Sequence, residues 1–165
     1  MSELENQFSK AYEAYSESIY RHCFFRVWRK GRAEELLQET FLRLWVYLRE
    51  GNKVENIRAL LYKIANNLII DESRKKKEES LDQILENPER REPKSNDHQD
   101  IEKNILIQEV LSQIQVLEEG DRDLLVMRFI DDLDPKDIAE ILSISANHAS
   151  VKINRALKNL KEKFN

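Results

Sequence analysis

The sequence contains few of the residues that build catalytic loops and disulfides. It has three glycines, three prolines and one cysteine among 165 residues. Three glycines that lie far apart cannot form a glycine-rich phosphate-binding loop, and no nucleophile signature is present. The single cysteine, Cys23, excludes an intrachain disulfide and a four-cysteine zinc site, and fits a small buried residue in a reducing cytoplasm. We therefore expect neither an enzyme nor a protein that carries a cofactor.

Long apolar runs are also missing. Every apolar run is far shorter than the roughly 20 residues that cross a bilayer. The N-terminal segment MSELENQ is polar and acidic, unlike a signal peptide. The histidines His22, His98 and His148 share no metal-ligand spacing with Cys23. We expect a cytoplasmic protein with no membrane insertion and no metal site.

Helical periodicity runs through most of the sequence, and no sustained period-two alternation is found, which predicts an all-α fold. Helix patterns lie on both sides of residues 78–104, a segment with nine acidic and four basic residues, two prolines and few large apolar residues. This composition is typical of a flexible acidic linker. We expect two small helical domains, at residues 1–77 and 105–165, joined by this linker.

Three helix patterns fill the first domain. The first runs from residue 4 to about residue 29, where Lys30 and Gly31 are expected to end it; Gly51 and Asn52 are expected to end the second. We expect the large aromatic side chains of this domain in its core rather than on a base-stacking surface. These are Tyr12, Tyr15, Phe24, Phe25, Trp28 and Trp45.

The second and third patterns share an apolar inner side but expose opposite chemistry. The second, residues 33–50, exposes mostly acids and amides. In the third, residues 58–77 carry six basic and two acidic residues, although the chain has a net charge of −4. The second pattern therefore suits a protein partner, and the third suits nucleic acid. Its candidate nucleic-acid contacts are Arg58, Lys63, Asn66, Asn67, Arg74, Lys75, Lys76 and Lys77.

The end of the chain carries the clearest helix signals. Asp134 can cap a helix, and Pro135 suits its first position, which predicts a short helix through Leu142. A tight connection leads to a final helix that begins at Ala146, and residues 146–165 carry five basic residues and one acidic residue. Two helices, a short turn and a basic second helix form a helix-turn-helix. Its candidate DNA contacts are His148, Ser150, Val151, Lys152, Asn154, Arg155 and Lys158.

Taken together, the two regions resemble the extracytoplasmic-function sigma factors, the minimal bacterial sigma subunits with only sigma regions two and four. ELLQETFLRLW resembles the helix that docks on the clamp of the RNA polymerase β′ subunit. IRALLYKIANNLIIDESRKKK resembles the adjoining helix that opens and reads the −10 promoter element, and residues 117–160 resemble region four, which reads the −35 element. The resemblance implies three partners: RNA polymerase core, through its β′ clamp and β flap, promoter DNA and an anti-sigma factor.

The resemblance also implies roles for single residues. Gln38 and Glu39 match the polar pair of the clamp-binding helix, and Asn67 matches an asparagine that lines the pocket for a flipped base. Residues 51–56 match the loop that closes over that base. His148, Ser150 and Val151 differ from the residues common at their positions, so the resemblance implies the docking mode but not the −35 sequence. The implied polymerase contacts are Glu35, Gln38, Glu39, Leu42 and Arg43.

From the residues alone, two other classes of binding protein stay open. One is a dimeric helix-turn-helix repressor or activator whose N-terminal bundle dimerises or binds a ligand. The other is a helical adaptor that never contacts DNA. Binding to polymerase core separates the three classes, because only a sigma factor is expected to bind it.

Overall fold

The computed structural model describes residues 2–79, 109 and 112–163, with the backbone alone for residues 76–79. The regular elements in these residues are helices, which confirms the all-α prediction. The chain divides into two compact units, Met1–Arg91 and Glu92–Asn165. Residues 80–108, which hold most of the predicted acidic linker, lie outside the described part, so the domain boundaries at residues 77 and 105 stay a prediction.

Two further features concern the described residues as a whole. No helix among them has both the length and the apolar composition needed to cross a membrane. No three of their histidine, cysteine, aspartate and glutamate side chains are grouped where they could hold a metal ion.

The first unit is a bundle of three helices, α1 (Glu3–Val27), α2 (Lys30–Arg49) and α3 (Ile57–Glu79), each in contact with the other two. Each helix turns one apolar side inward, and burying one large apolar side chain contributes about 1.5–3 kcal/mol. Cys23 is fully buried, as predicted. The other fully buried residues of this core include Ile19, Phe24, Leu36, Leu44, Leu61 and Tyr62.

Aromatic side chains close the contact between the N-terminal half of α1 and the C-terminal half of α2. The Phe8 ring centroid lies 5.3 Å from that of Trp45 and 6.0 Å from that of Phe41. Tyr12 lies 4.9 Å from Phe41. The core prediction is confirmed for Phe24 and Phe25, whereas Tyr15, Trp28 and Trp45 are half-buried. For Tyr12 the prediction is wrong, because its ring lies at the edge of the helix contact with much of its surface exposed.

The break between α1 and α2 lies earlier than the sequence predicts. Lys30 and Gly31 do not end α1 but form the first turn of α2. The chain turns at Trp28, which has a left-handed backbone (φ 58°) and donates its N–H to the Phe24 carbonyl at 2.7 Å. This conformation is costly for a bulky residue. The Trp28 ring packs 5.7 Å from Phe24 and 5.7 Å from Phe25, and this contact stabilises the turn.

The end of α2 agrees with the prediction. Gly51 has φ +86°, a left-handed conformation that glycine adopts without steric cost, and its N–H donates to the Leu48 carbonyl. The Asn52 side chain donates to the Tyr47 carbonyl at 2.9 Å. The residues from Gly51 to Asn56 then form a loop, and the Asn56 side chain caps α3 by accepting the Ala59 N–H at 3.0 Å.

The second unit contains α4 (Glu119–Leu125), a π-helical turn (Val126–Ile130), α5 (Pro135–Leu142) and α6 (Ala146–Lys163). The sequence predicts ordinary helical periodicity after Gly120, with Phe129 among its apolar positions. In the structure Val126 and Met127 are buried, but Phe129 is exposed. A π turn inserts an extra residue per turn, and this change of phase places Phe129 on the outer side.

The helix-turn-helix prediction is confirmed to the residue. Asp134 accepts the N–H of Asp137 at 2.8 Å, and Pro135 occupies the first position of α5. Ser143 ends α5 in a left-handed conformation (φ 57°). Ser145 then accepts the N–H of His148 at 3.1 Å and so caps α6. These bonds join residues three positions apart, so the local sequence specifies them.

The cap of α5 yields a stability prediction. We expect Asp134→Ala to destabilise α5 by about 1 kcal/mol, because the Asp137 N–H loses its acceptor. Hydrogen exchange of the α5 amides, followed by NMR on the full chain, measures this as faster exchange. Glu140→Ala, an exposed acid on the same helix, is the matched control and should leave the rates nearly unchanged. Equal rates in both variants would contradict the cap.

Candidate protein and nucleic-acid interfaces

The outer side of α2 carries a mixed polar and apolar surface opposite the buried Leu36 and Leu44. The structure brings the five predicted protein contacts together on this exposed half of the helix, which we call the α2 face. Its most exposed apolar residue is Leu42, at 61%. Arg43 and Glu39 form an ion pair at 3.2 Å across one turn. The predicted residues are Glu35, Gln38, Glu39, Leu42 and Arg43.

One residue of the α2 face escaped the sequence analysis. Val46 is 47% exposed and lies four positions after Leu42, so the two side chains are neighbours on the helix surface. The sequence could have predicted that Val46 is exposed, because it falls outside the apolar stripe that includes Leu44 and Leu48. Two adjacent exposed aliphatic side chains within a polar rim have the composition of a protein interface.

Arg32 connects the α2 face to α3. Its guanidinium donates to Glu35 at 2.7 Å and to Glu72 of α3 at 2.5 Å. Burial lowers the pKa of Arg32, but the hydrogen bonds and charges of Glu35 and Glu72 more than offset this effect and raise the pKa above its ordinary value. The guanidinium therefore stays charged. Arg32 and Glu72 are 40 residues apart, and no sequence pattern indicates this pair.

The predicted nucleic-acid contacts on α3 do not all lie on one surface. Asn66 is only 2% exposed, and its side-chain oxygen accepts a hydrogen bond from Arg26 of α1 at 2.9 Å. The prediction that Asn66 is an exposed DNA contact is therefore wrong, because it is a buried link between two helices. Arg58 is half-buried and lies over the Tyr62 ring, with its guanidinium carbon 5.8 Å from the ring centroid. Arg58 lies nine positions before Asn67 and therefore on the opposite side of the helix.

Three of the remaining predicted residues, Lys63, Asn67 and Arg74, form one surface together with Ile70, which the sequence analysis did not select. We call this surface the α3 stripe. Lys63, Asn67, Ile70 and Arg74 follow each other at intervals of four, three and four residues and so lie along one side of the helix. Asn67, Ile70 and Arg74 are exposed, and Lys63 is half-buried. Lys75 is exposed beside them. Lys76 and Lys77 belong to α3, but their side chains lie outside the described part.

In the second unit, α6 presents a basic outer surface, which we call the α6 face. The central residues of the face are exposed, whereas Ser150 and Lys152 lie on its two flanks and are half-buried. Two hydrogen bonds fix the C-terminal half of α6 to the preceding part of the unit. Asn159 donates to Asp121 at 2.8 Å, and Lys163 donates to the Val116 carbonyl at 2.8 Å. The exposed residues of the face are His148, Val151, Asn154, Arg155 and Lys158.

Comparison with known proteins decides the family. A model of sigma-70 region 2 matches residues 11–79, and a model of sigma-70 region 4 matches residues 107–160. The ECF RNA polymerase sigma factor SigM of Bacillus subtilis is 30% identical to the chain over 93% of each sequence. The chain belongs to the extracytoplasmic-function (ECF) sigma factors. As a sigma factor, it directs RNA polymerase to promoters at transcription initiation.

Other similar proteins agree with this assignment. The ECF sigma factor SigW of Bacillus subtilis is 29% identical, over 97% of this chain and 90% of the relative. Two solved structures share the sigma-factor fold. RpoE of Bartonella quintana, in complex with the anti-sigma factor NepR, has a TM-score of 0.74 at 18% identity, over 94% of this chain and 95% of that one. CnrH, in complex with the cytosolic domain of CnrY, has a TM-score of 0.70 at 17% identity, over 97% of this chain and 88% of that one.

The two neighbouring asparagines of this sigma factor should respond differently to truncation. We expect Asn66→Ala to lower the free energy of unfolding of the first unit by about 1–3 kcal/mol, because a partly buried Arg26 loses a hydrogen bond. Asn67→Ala should change it by less than about 0.5 kcal/mol, because Asn67 is exposed. Both tryptophans, Trp28 and Trp45, belong to this unit, so urea unfolding followed by tryptophan fluorescence reports on it alone. Equal losses in the two variants would contradict the structural role of Asn66.

Proposed function

We propose that this sigma factor uses three separate surfaces for the three steps of promoter recognition. The α2 face binds the β′ clamp of RNA polymerase core, the α3 stripe holds unpaired DNA of the −10 element, and the α6 face reads the −35 element. The observation that carries the proposal is the contrast within one small unit. Adjacent helices expose an aliphatic and acidic surface on α2 and a basic surface with an amide on α3.

The α2 face supports a protein contact by its composition. Leu42 and Val46 offer apolar area that a partner can bury, and Gln38 and Glu39 offer hydrogen-bonding groups beside them. Interfaces concentrate their binding energy in a few such central residues within a polar rim. Glu39 is paired with Arg43 and Glu35 with Arg32, so this face has no excess of positive charge for DNA phosphates, which favours a protein partner over nucleic acid.

The α3 stripe supports a single-strand contact. Strand opening without ATP chemistry requires that unpaired bases and their phosphates bind better than the duplex does. The Asn67 amide can donate to and accept from a base edge, while Lys63, Arg74 and Lys75 can contact phosphates. The loop from Gly51 to Asn56 precedes α3, and in this proposal it closes over the extruded base.

The α6 face supports duplex recognition. It belongs to the second helix of a helix-turn-helix, the element that enters the major groove. Asn154 and Arg155 have side chains suited to hydrogen bonds with base edges, and Val151 can contact a thymine methyl group. Lys158 suits a phosphate contact, and the polymerase β flap is the proposed protein partner of this unit.

Regulation and location belong to the same proposal. RpoE, which shares this fold, was solved in complex with the anti-sigma factor NepR, and CnrH in complex with the cytosolic domain of CnrY. We infer that an anti-sigma factor also binds this chain. The sigma factor itself acts in the cytoplasm, where the polymerase is, and has no catalytic activity of its own.

Binding to polymerase core tests the proposed function. We expect the full chain to co-elute with bacterial core polymerase, and Gln38→Ala combined with Glu39→Ala to weaken binding by about 2 kcal/mol or more if this face is central. Size-exclusion chromatography and fluorescence anisotropy measure the complex. The matched control is Glu13→Ala with Glu17→Ala, which removes two exposed acids from α1. Equal affinities for the two double variants would contradict the α2 face as the site of core binding.

Duplex recognition gives a second test, on the complete holoenzyme. Arg155→Ala should weaken binding in a base-dependent way, by about 1–3 kcal/mol for a lost bidentate contact. Lys158→Ala should weaken all duplexes alike and flatten the salt dependence. Affinities for promoter duplexes with single base changes in the −35 element, measured over a series of KCl concentrations, separate the two effects. A uniform loss for Arg155→Ala would show that Arg155 contacts phosphate instead.

A further inference from the structure

Ile70 is an apolar residue in the middle of the basic α3 stripe. Its side chain is 40% exposed, whereas its chain neighbours Leu68 and Ile69 are buried in the core. Single exposed apolar residues are common on protein surfaces and by themselves need no explanation. Ile70 differs from them by its position, because it lies between Asn67 and Arg74 on the same side of the helix.

The stripe therefore offers three kinds of chemistry in one line. Lys63 and Arg74 carry positive charge for phosphates, Asn67 carries an amide for a base edge, and Ile70 carries an aliphatic surface. An unpaired nucleotide presents the matching three parts, which are a phosphate, a polar base edge and an apolar base face. Asn67 and Ile70 are three positions apart and so are neighbours on the helix surface, where one nucleotide can contact both.

Asp71 restricts where a strand can lie. It is exposed and follows Ile70 directly, but the helical turn places it on the opposite flank of Asn67 from Ile70. Its carboxylate repels phosphates, an effect that Lys75, four positions further on the same flank, partly offsets. A strand bound to the stripe therefore lies mainly along Lys63, Ile70 and Arg74, where basic and apolar groups adjoin.

We propose that Ile70 contacts the face of an unpaired base and thereby adds affinity for single-stranded DNA that depends on neither charge nor base identity. This inference rests on the proposed function of the α3 stripe. In duplex DNA the base faces are stacked and inaccessible, so the Ile70 contact forms only after opening. Ile70 is thus a selectivity residue for unpaired over paired DNA.

The test measures holoenzyme binding to a fluorescent, randomised single-stranded 20-nucleotide pool and to the same pool as duplex, over a series of KCl concentrations. Ile70→Gln should weaken single-strand binding about five- to tenfold, with duplex binding, salt slope and base preference unchanged. Lys63→Gln should instead reduce the salt slope. Asn67→Ala should flatten the base preference found by sequencing the bound fraction.

Matched variants make the result decisive. Ile70→Leu keeps the apolar surface and should bind like the parent, and Ile70→Thr should lose affinity like Ile70→Gln. Val116→Gln makes the same kind of change at an exposed residue of the other unit and should have no effect. Tryptophan fluorescence checks that the variants of the first unit are folded, and circular dichroism checks Val116→Gln.

The outcomes separate this inference from the proposed function beneath it. If the parent holoenzyme binds the single-stranded pool no better than core polymerase alone, the function proposed for the α3 stripe fails, and this inference fails with it. If the parent gains affinity but Ile70→Gln and Ile70→Thr retain it, only the role of Ile70 is overturned. An equal loss on single strands and duplex, or a changed salt slope, overturns it as well.

Discussion

The first unit depends on one constraint, which is that three helices bury their apolar sides in the same small core. Leu44 on α2 and Leu61 on α3 are fully buried, and a rotation of either helix would expose a side chain whose burial contributes about 1.5–3 kcal/mol. The outward directions of Leu42 on α2 and Asn67 on α3 follow from this. The core thus orients two surfaces of opposite chemistry, although neither surface contributes to the core.

Polar contacts across the bundle then set the position of α3. Arg26 of α1 holds Asn66, and Arg32 of α2 holds Glu72. Both bonds are partly buried, where water and salt screen charges less than at the surface. Because Arg32 also pairs with Glu35, its side chain links the α2 face directly to the helix that carries the α3 stripe. The two proposed functions of this unit therefore share one structural link.

In the second unit, contacts between residues close in the sequence define the helix-turn-helix, and two contacts between residues far apart in the sequence fix α6. The helix-turn-helix is defined by the caps at Asp134 and Ser145 and by the left-handed turn at Ser143, while contacts with Asp121 and Val116 hold α6 from behind. The α6 face and the α3 stripe have related compositions, since each places one aliphatic residue, Val151 or Ile70, among basic and amide groups. In the proposed function they differ in target, because α6 contacts paired bases and α3 contacts unpaired ones.

The sequence by itself determined the all-α fold, the positions of α5 and α6, and the family, because helical periodicity, caps and turns are interactions between residues three or four positions apart. It also placed the predicted contacts of the α2 face on one side of their helix. Only the tertiary structure decided that Asn66 points inward to Arg26, that Arg58 lies over Tyr62, and that Trp28 rather than Gly31 ends α1. Each of these outcomes depends on packing that the period of a helix does not encode: Arg26 and Asn66 are 40 residues apart in the chain, and their contact exists only once the helices have packed.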